Sequence, residues 1–363
     1  MKTVRVFTHI PSPYQVELFD AVARKQKLEL EVCYLYSSSQ TRLWEKPKLH
    51  HAHIILDDVS STYEQVKASS EQFDLVVYHY YQHSSLLDLI KHREQANKAW
   101  CFWGERPGYR GLGWLGALYR RWVFSTLHRS KAPVWGMGRW AVAQYRKECG
   151  DQRLYCNVPY FSDLNRFKPD DEQRRRESAR KVFLYSGSMI HRKGVDLLAR
   201  AFNRLADEFQ DVSLKLVGDG ELRPRLEKQL ARHADRVEFA GFQKWEDLPG
   251  CYHTADVLCA PSLYDGWNLV IPEGLAAGLP VIGTDRTGAA LELIRPRENG
   301  WLIPAGDAKA LYQSMREVAT LSRSALAERS AAAEKSVLNH SLAKGADRFS
   351  QAVESTLAVF SGS

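Results

Sequence analysis

The sequence predicts an α/β chain built from two doubly wound, Rossmann-like domains. Three observations carry that expectation. Apolar runs of strand length alternate with amphipathic stretches of helical period from residue 4 to 103, and again from 182 to 282, the pattern of mostly parallel sheets. The chain has 363 residues, long for one domain and natural for two. Between the alternating halves lies a charged run, Lys168 to Arg180, carrying Pro169, which reads as a linker. The expected domains are 1–167 and 168–340, with a terminal segment 341–363.

In the first domain, Val4 to Thr8 reads as a buried strand, followed by a Pro-Ser-Pro loop (Pro11 to Pro13) and a helix over Val16 to Ala23. Further strands are expected at Leu30 to Leu35, His53 to Leu56, Leu75 to Tyr78 and Ala99 to Trp103, with a helix at Leu86 to Arg93. Ligands of doubly wound sheets bind beyond the carboxyl ends of the strands. The loops Pro11–Tyr14, His79–Ser84 and Gly104–Arg110 should therefore face one crevice.

Gly111-Leu112-Gly113-Trp114-Leu115-Gly116 matches G-x-G-x-x-G, but its context fails for a dinucleotide site. Pro107 and Arg110 separate it from the strand, Trp114 would crowd a pyrophosphate, and the next acid is Glu148. The surrounding segment has another use. From Arg106 to Lys147 there are nine basic residues and no acid, interleaved with Trp114, Leu118, Tyr119, Trp122, Val123, Phe124 and Leu127. Mixed aromatic and basic residues on a helix suit an anionic membrane surface or an anionic lipid-linked substrate. The plainer alternative is that the apolar residues are core and the charges solvated. Nucleic acid is not an expected partner, because no nucleic-acid motif accompanies the charge.

The second domain reads as strands Val182 to Ser186, Ser213 to Val217, Val237 to Ala240 and Val257 to Ala260, with helices Val195 to Glu208, Glu221 to Arg232 and Asp247 to Thr254. A last helix is expected from about Leu342 to Phe360. No run of about 18 apolar residues occurs, so no bilayer span is expected. The N-terminus MKTVRVFTHI enters a strand without a signal-peptide pattern, and the six cysteines sit singly. Both features point to a reducing, cytoplasmic setting, without a disulfide framework or zinc site.

The chemistry concentrates in Ser262 to Thr284. Gly266 in the loop Asp265-Gly266-Trp267-Asn268 lets backbone approach a ligand closely. A helix should start near Leu269 or Val270, with Pro272 in its first turn, and end at Gly278 before Pro280. Leu279 to Ile282 then resumes as a strand. Helix-start amides at Leu269 and Val270 suit a phosphate, while Glu273 and Asp265 can accept hydrogen bonds from a ribose diol and a sugar ring. A nucleotide-diphosphate sugar needs all three contacts; an acidic loop before a helix that favours acids at its N-terminus needs none. A second cluster lies at Gly187 to Asp196, where Arg192-Lys193-Gly194 follows a strand and could neutralise two phosphates.

Together these segments resemble the signature of the family 4 retaining glycosyltransferases, of GT-B architecture. That pattern is an acid, Gly and an aromatic, a Glu eight positions after the acid, then Gly-x-Pro-Val-Ile. Asp265-Gly266-Trp267, Glu273 and Gly278-Leu279-Pro280-Val281-Ile282 match it. The departure is Asp265 where the family usually has Glu, one methylene longer. Many members also have Gly-Arg at the strand end; here Gly187-Ser188 stands there, and Arg192 takes over the second charge. Asn157 to Phe167 resembles the family's interdomain connection, and Gly218 and Gly241-Phe242 match further positions, Phe242 near the base. Pro11-Ser12-Pro13-Tyr14 replaces a common Gly-Gly loop. Glu105 lies where many relatives place an acceptor-side His.

The resemblance implies two Rossmann-like domains facing a central cleft, with the last helix packing back onto the first. It implies a retaining transfer from a nucleotide-diphosphate sugar, UDP-linked ahead of GDP-linked, to a saccharide or lipid-linked saccharide acceptor in polysaccharide or lipopolysaccharide assembly. Asp265, Glu273, Arg192 and Lys193 would be catalytic. Gly187, Phe242, Gly266, Trp267, Asn268, Leu269, Val270 and Glu105 would contact substrates. No cofactor is expected beyond the donor, and no metal, since no Asp-x-Asp triplet is present. The expected location is cytoplasmic, peripheral on the inner face of the membrane. A sugar-nucleotide epimerase and a non-catalytic membrane-binding scaffold are the alternatives.

Overall fold

The computed structural model describes residues 1–38, 47–56, 59–79, 81, 83–107, 113–170 and 180–361. The chain divides into two compact units, Met1–Asp163 with Ser341–Ser363, and Leu164–His340. The break falls just before a 3-10 turn, Leu164–Phe167, rather than after Phe167. Packing explains the difference: Phe167 is fully buried in the second unit, its ring 5.0 Å from that of Tyr252. Of the expected linker, residues 171–179 lie outside the described residues.

Among the described residues, the first unit has a parallel sheet of seven strands: β1 Lys2–Thr8, β2 Leu28–Tyr34, β3 Ala52–Ile55, β4 Leu75–Tyr78, β5 Trp100–Gly104, β6 Val134–Gly136 and β7 Tyr155–Asn157. Their order is β3-β2-β1-β4-β5-β6-β7, so the winding reverses between β1 and β4. Around the sheet run α1 Pro13–Arg24, α2 Val59–Ser70, α3 Ser84–Gln95, α4 Gly113–Val123, α5 Ser125–Arg129 and α6 Arg139–Cys149. Strands β4, β5 and β6 are continuous apolar runs because both faces are covered there, whereas β2 alternates and β3 at the edge is largely exposed; Trp100, Trp103 and Trp135 are wholly buried. Helix α1 starts three residues before its expected first residue, at Pro13, whose fixed φ suits a first turn. Strands β6 and β7 are additions to the sequence reading. At three residues each they are too short to show a period.

The C-terminal helix, Leu342–Ser361, belongs to this first unit. Its Phe349 ring lies 5.3 Å from Trp135 and 5.9 Å from Trp103. Trp135 Nε1 donates to Thr356 Oγ1 at 3.0 Å. The chain's first and last segments thus share one core, and Lys25 pairs with Asp347 at 2.5 Å on its rim.

Among the described residues, the second unit has a parallel sheet of six strands: β8 Lys181–Ser186, β9 Val212–Val217, β10 Val237–Gly241, β11 Val257–Ala260, β12 Val281–Thr284 and β13 Gly300–Ile303. Their order is β10-β9-β8-β11-β12-β13, reversing between β8 and β11. The helices are α7 Val195–Glu208, α8 Arg223–Leu230, α9 Leu248–His253, α10 Val270–Ala276, α11 Gly288–Leu293, α12 Ala308–Thr320 and α13 Arg323–Ser336. Helix α7 matches its expectation because Val195, Leu198, Phe202 and Leu205, all buried, form a stripe of helical period. The expected helix Glu221 to Arg232 is corrected. It begins at Arg223, with Pro224 in its first turn, and gives way to a 3-10 turn, Ala231–Arg236. The expected strand Leu279 to Ile282 forms as Val281–Thr284, because Gly278 (φ +73°) and the following Leu279-Pro280 still turn the chain.

Candidate functional site

In the second unit the loops after β8 and β11 meet at the point where the strand order reverses, the position at which open α/β sheets bind ligands. Glycines allow the approach. Gly194 has φ +68°, and a Cβ there would lie 2.1 Å from the Pro261 carbonyl oxygen. Leu263 N–H donates to the Arg192 carbonyl at 2.9 Å, tying the two loops by backbone. On the other side, Gly218 N–H donates to the Gly241 carbonyl at 2.7 Å, and a Cβ on Gly218 would stand 2.1 Å from the Gly187 oxygen. The ends of β8, β9 and β10 are thereby drawn together, with Gly187 at φ +144°.

Arg192 and Lys193 sit on a 3-10 turn, His191–Lys193, before α7. Both reach the loop after β11. Arg192 Nη1 donates to the Tyr264 carbonyl at 2.9 Å and to Asp265 Oδ2 at 3.2 Å. Lys193 Nζ lies 2.5 Å from the same Asp265 oxygen and 3.2 Å from Asn268 Oδ1. Asn268 holds φ +77°, a left-handed conformation that asparagine adopts more readily than most residues. The Asp265 backbone is pinned as well. Its N–H donates to Arg286 O at 3.0 Å, and its carbonyl accepts from Gly288 N–H at 3.2 Å.

The structure brings Arg192, Lys193, Asp265 and Asn268 together, 72–75 residues apart in sequence. Leu269 and Val270 follow directly, half-buried at the head of α10. Other expected residues stand differently. Trp267 is only 1% exposed and stacks on His340 at 5.5 Å, so its ring packs behind the loop and does not face outward to a substrate. Gly266 is also buried, its carbonyl 2.2 Å from where a Cβ on Gly288 would lie. Glu273 is 2% exposed, and its Oε2 accepts from the Tyr252 hydroxyl at 2.9 Å. Burial, reinforced by the Glu273 carboxylate, holds the Tyr252 phenol far above its usual pKa, so it remains a donor. Tyr252 had no local signal in the sequence, lying on α9, 21 residues before its partner. Phe242, just past β10, is 47% exposed.

Glu105 lies in the first unit, at the carboxyl end of β5 and exposed. It belongs to a polar cluster that the sequence reading missed. The Tyr160 phenol, held well above its usual pKa by burial first and by Glu105 next, hydrogen-bonds Glu105 and Tyr14. It also lies 3.2 Å from His79 Nε2. His79 follows β4 and contacts Thr8 and Gln15. Burial, with the neighbouring His9 charge, keeps its pKa down near 3. Residues 80, 82 and 108–110 of the loops expected here lie outside the described residues.

The basic segment resolves into two populations. Trp114, Leu115, Leu118, Tyr119 and Trp122 of α4 are 53–77% exposed. Phe124 and Leu127 are buried in the core, where the plainer alternative holds. Arg120 is not a free surface charge. Its guanidinium forks onto Glu148, at 2.5 and 3.1 Å, just past the acid-free stretch. Of the G-x-G-x-x-G match, residues 111 and 112 lie outside the described residues, and Gly113 opens α4. Among the described residues, no helix is long and apolar enough to cross a membrane, and no group of three His, Cys, Asp or Glu could hold a metal ion.

Residues 180–320 match the family of group 1 glycosyl transferases. The fold is shared over nearly the whole chain with solved structures. The UDP complex of HepE from Anabaena has a TM-score of 0.79 at 17% identity, covering 98% of this chain and all of that one. WaaG, a glycosyltransferase involved in lipopolysaccharide biosynthesis, has a TM-score of 0.71 at 16% identity, covering 96% and 99%. By sequence, the phosphatidyl-myo-inositol mannosyltransferase of Mycobacterium leprae is 34% identical over 143 residues, 39% of this chain and 37% of that protein. The lipopolysaccharide core mannosyltransferase LpsB of Rhizobium meliloti is 31% identical over 187 residues, 46% and 52%. The chain thus spans less than two thirds of the length of these curated relatives. Its two parallel sheets make it a GT-B α/β protein. Residues 180–320 match the group 1 glycosyl transferase family, and the GT-B fold extends over nearly the whole chain.

Proposed function

We propose that the protein transfers a sugar, with retention, from a nucleotide-diphosphate sugar to a saccharide or lipid-linked saccharide in surface-glycan assembly. The observation that carries this reading is the convergence of Arg192, Lys193, Asp265 and Asn268 at the strand-order reversal of the second sheet. Two fixed cations beside the head of α10 suit a diphosphate, whose negative charge grows as the glycosidic bond breaks; preorganised charge there stabilises the leaving group. Asp265 would orient the sugar and Glu273 the ribose. The departing phosphate would take the acceptor proton, so no protein nucleophile and no metal is needed. A UDP-linked donor is favoured over a GDP-linked one, and the UDP complex of the HepE neighbour supports that choice. Glu105, with the Tyr160–His79 cluster behind it, would meet the acceptor.

The anionic membrane surface belongs to the same proposal, placing the enzyme at the inner face of the cytoplasmic membrane. Five large apolar side chains stand exposed on α4, with Arg121, Arg129 and Lys131 nearby and also exposed. Calorimetric titration with uridine and guanosine diphosphates tests the core of the proposal. Binding of either in the micromolar range is expected, and heat from neither would remove the donor-site assignment.

A further inference from the structure

Asp265 occupies the two cations that a bound diphosphate would need. Its Oδ2 takes Lys193 at 2.5 Å and Arg192 at 3.2 Å, and the three side chains are only 13%, 16% and 31% exposed. The two cations have anchors of their own, Arg192 on the Tyr264 carbonyl and Lys193 on Asn268 Oδ1. They therefore need not move when the carboxylate leaves. The Asp265 backbone is held on both sides by Arg286 and Gly288, so the carboxylate can leave only by side-chain rotation.

We propose that Asp265 competes with the diphosphate for Arg192 and Lys193, and so makes the site prefer a loaded sugar nucleotide over the spent nucleotide. The proposal rests on the reading of Arg192 and Lys193 as phosphate ligands. A diphosphate brings more negative charge to the two cations than the carboxylate does, and it displaces it. The displaced carboxylate, half-buried, then lacks partners, and a charged acceptor left without donors is costly. A nucleotide sugar supplies hydroxyl donors in its place; a nucleotide diphosphate alone does not. After transfer, the carboxylate regains the cations and drives the product out. The shorter side chain serves this role, since Asp265 meets Lys193 directly from a loop with little freedom.

The test compares uridine diphosphate with UDP-glucose by calorimetry on wild type, Asp265→Asn and Asp265→Glu, using the guanosine pair if the wild type selects guanosine. Asparagine should tighten the free nucleotide about tenfold while leaving the sugar nucleotide unchanged or weaker, so the preference collapses. Glutamate keeps the charge and should keep the wild-type order. Thermal unfolding checks that the variants fold, and Asp265→Ser, which also removes the charge, should repeat the asparagine result. Equal tightening of both ligands would mean general electrostatics only, and unchanged nucleotide affinity would mean no competition; either overturns the proposal. Wild type binding neither nucleotide is a separate failure, of the phosphate assignment itself.

Discussion

Replacing Trp114 and Trp122 of α4 with Ser should release the protein from anionic vesicles. The two indoles lie eight positions apart on one helix face, and are 70% and 77% exposed. Fully burying a large apolar side chain is worth about 1.5–3 kcal/mol, so burying the exposed three quarters of each indole yields roughly 1.5–2 kcal/mol. The pair therefore contributes about 3–4 kcal/mol, a loss of roughly 100- to 1,000-fold in partitioning. Leu115, Leu118 and Tyr119 remain, so some binding should survive. A second variant separates the charge contribution. Arg121, Arg129 and Lys131 changed to Ser should remove about 1 kcal/mol each at low salt. That deficit should fade as salt rises, because screening acts within about 10 Å at 0.1 M. Arg120 is left alone, since its fork to Glu148 holds α4 against α6. The assay is sedimentation with phosphatidylglycerol–phosphatidylcholine vesicles at low and high salt, with nucleotide affinity measured in parallel as a control. If the double tryptophan variant sediments like wild type, α4 is not a membrane-binding face and the acceptor is more simply a soluble saccharide.

Lys193→Ala and Arg192→Ala should each lower donor turnover about 10- to 100-fold, the loss of one charge-assisted contact of roughly 1.5–3 kcal/mol; wild-type rates in both would sink the phosphate assignment. Chelation by EDTA should leave activity intact, and complete loss restored by manganese or magnesium would contradict a leaving group stabilised by side-chain cations alone. The first unit should lose stability in acid on account of His79. Its folded pKa of about 3 lies below the unfolded value of about 6.5, so the unfolded chain binds the extra proton and stability falls as pH drops below about 6.5. Thermal unfolding at pH 7 and pH 5 should show a smaller acid loss in His79→Gln than in wild type; identical losses would assign the effect to other groups.

What the sequence determined by itself was whatever is written in periodicity and local chemistry. Helix α7 and strands β4 and β11 were legible to the residue, since each is one unbroken pattern bounded by turn residues. The two segments of the second unit's candidate site, Arg192-Lys193-Gly194 and Asp265 to Glu273, stand out in the sequence as well, because each is a compact motif. Strands β6, β7 and β13 were not, being three or four residues long and recognisable only through the neighbour each one pairs with. The same motifs could not say which side chains face outward. Trp267 lies two residues from Asp265, yet the fold turns its ring onto His340, and only the fold shows that Tyr252 holds one oxygen of Glu273, eight residues on. Nor could charge counting separate Arg120 from Arg121, since only the approach of α6 supplies Glu148 to one of them. The pairing of Asp265 with both cations belongs wholly to tertiary structure. It spans more than seventy residues and depends on Gly194 letting one loop close on the backbone of another, a contact set by steric fit rather than by local preference.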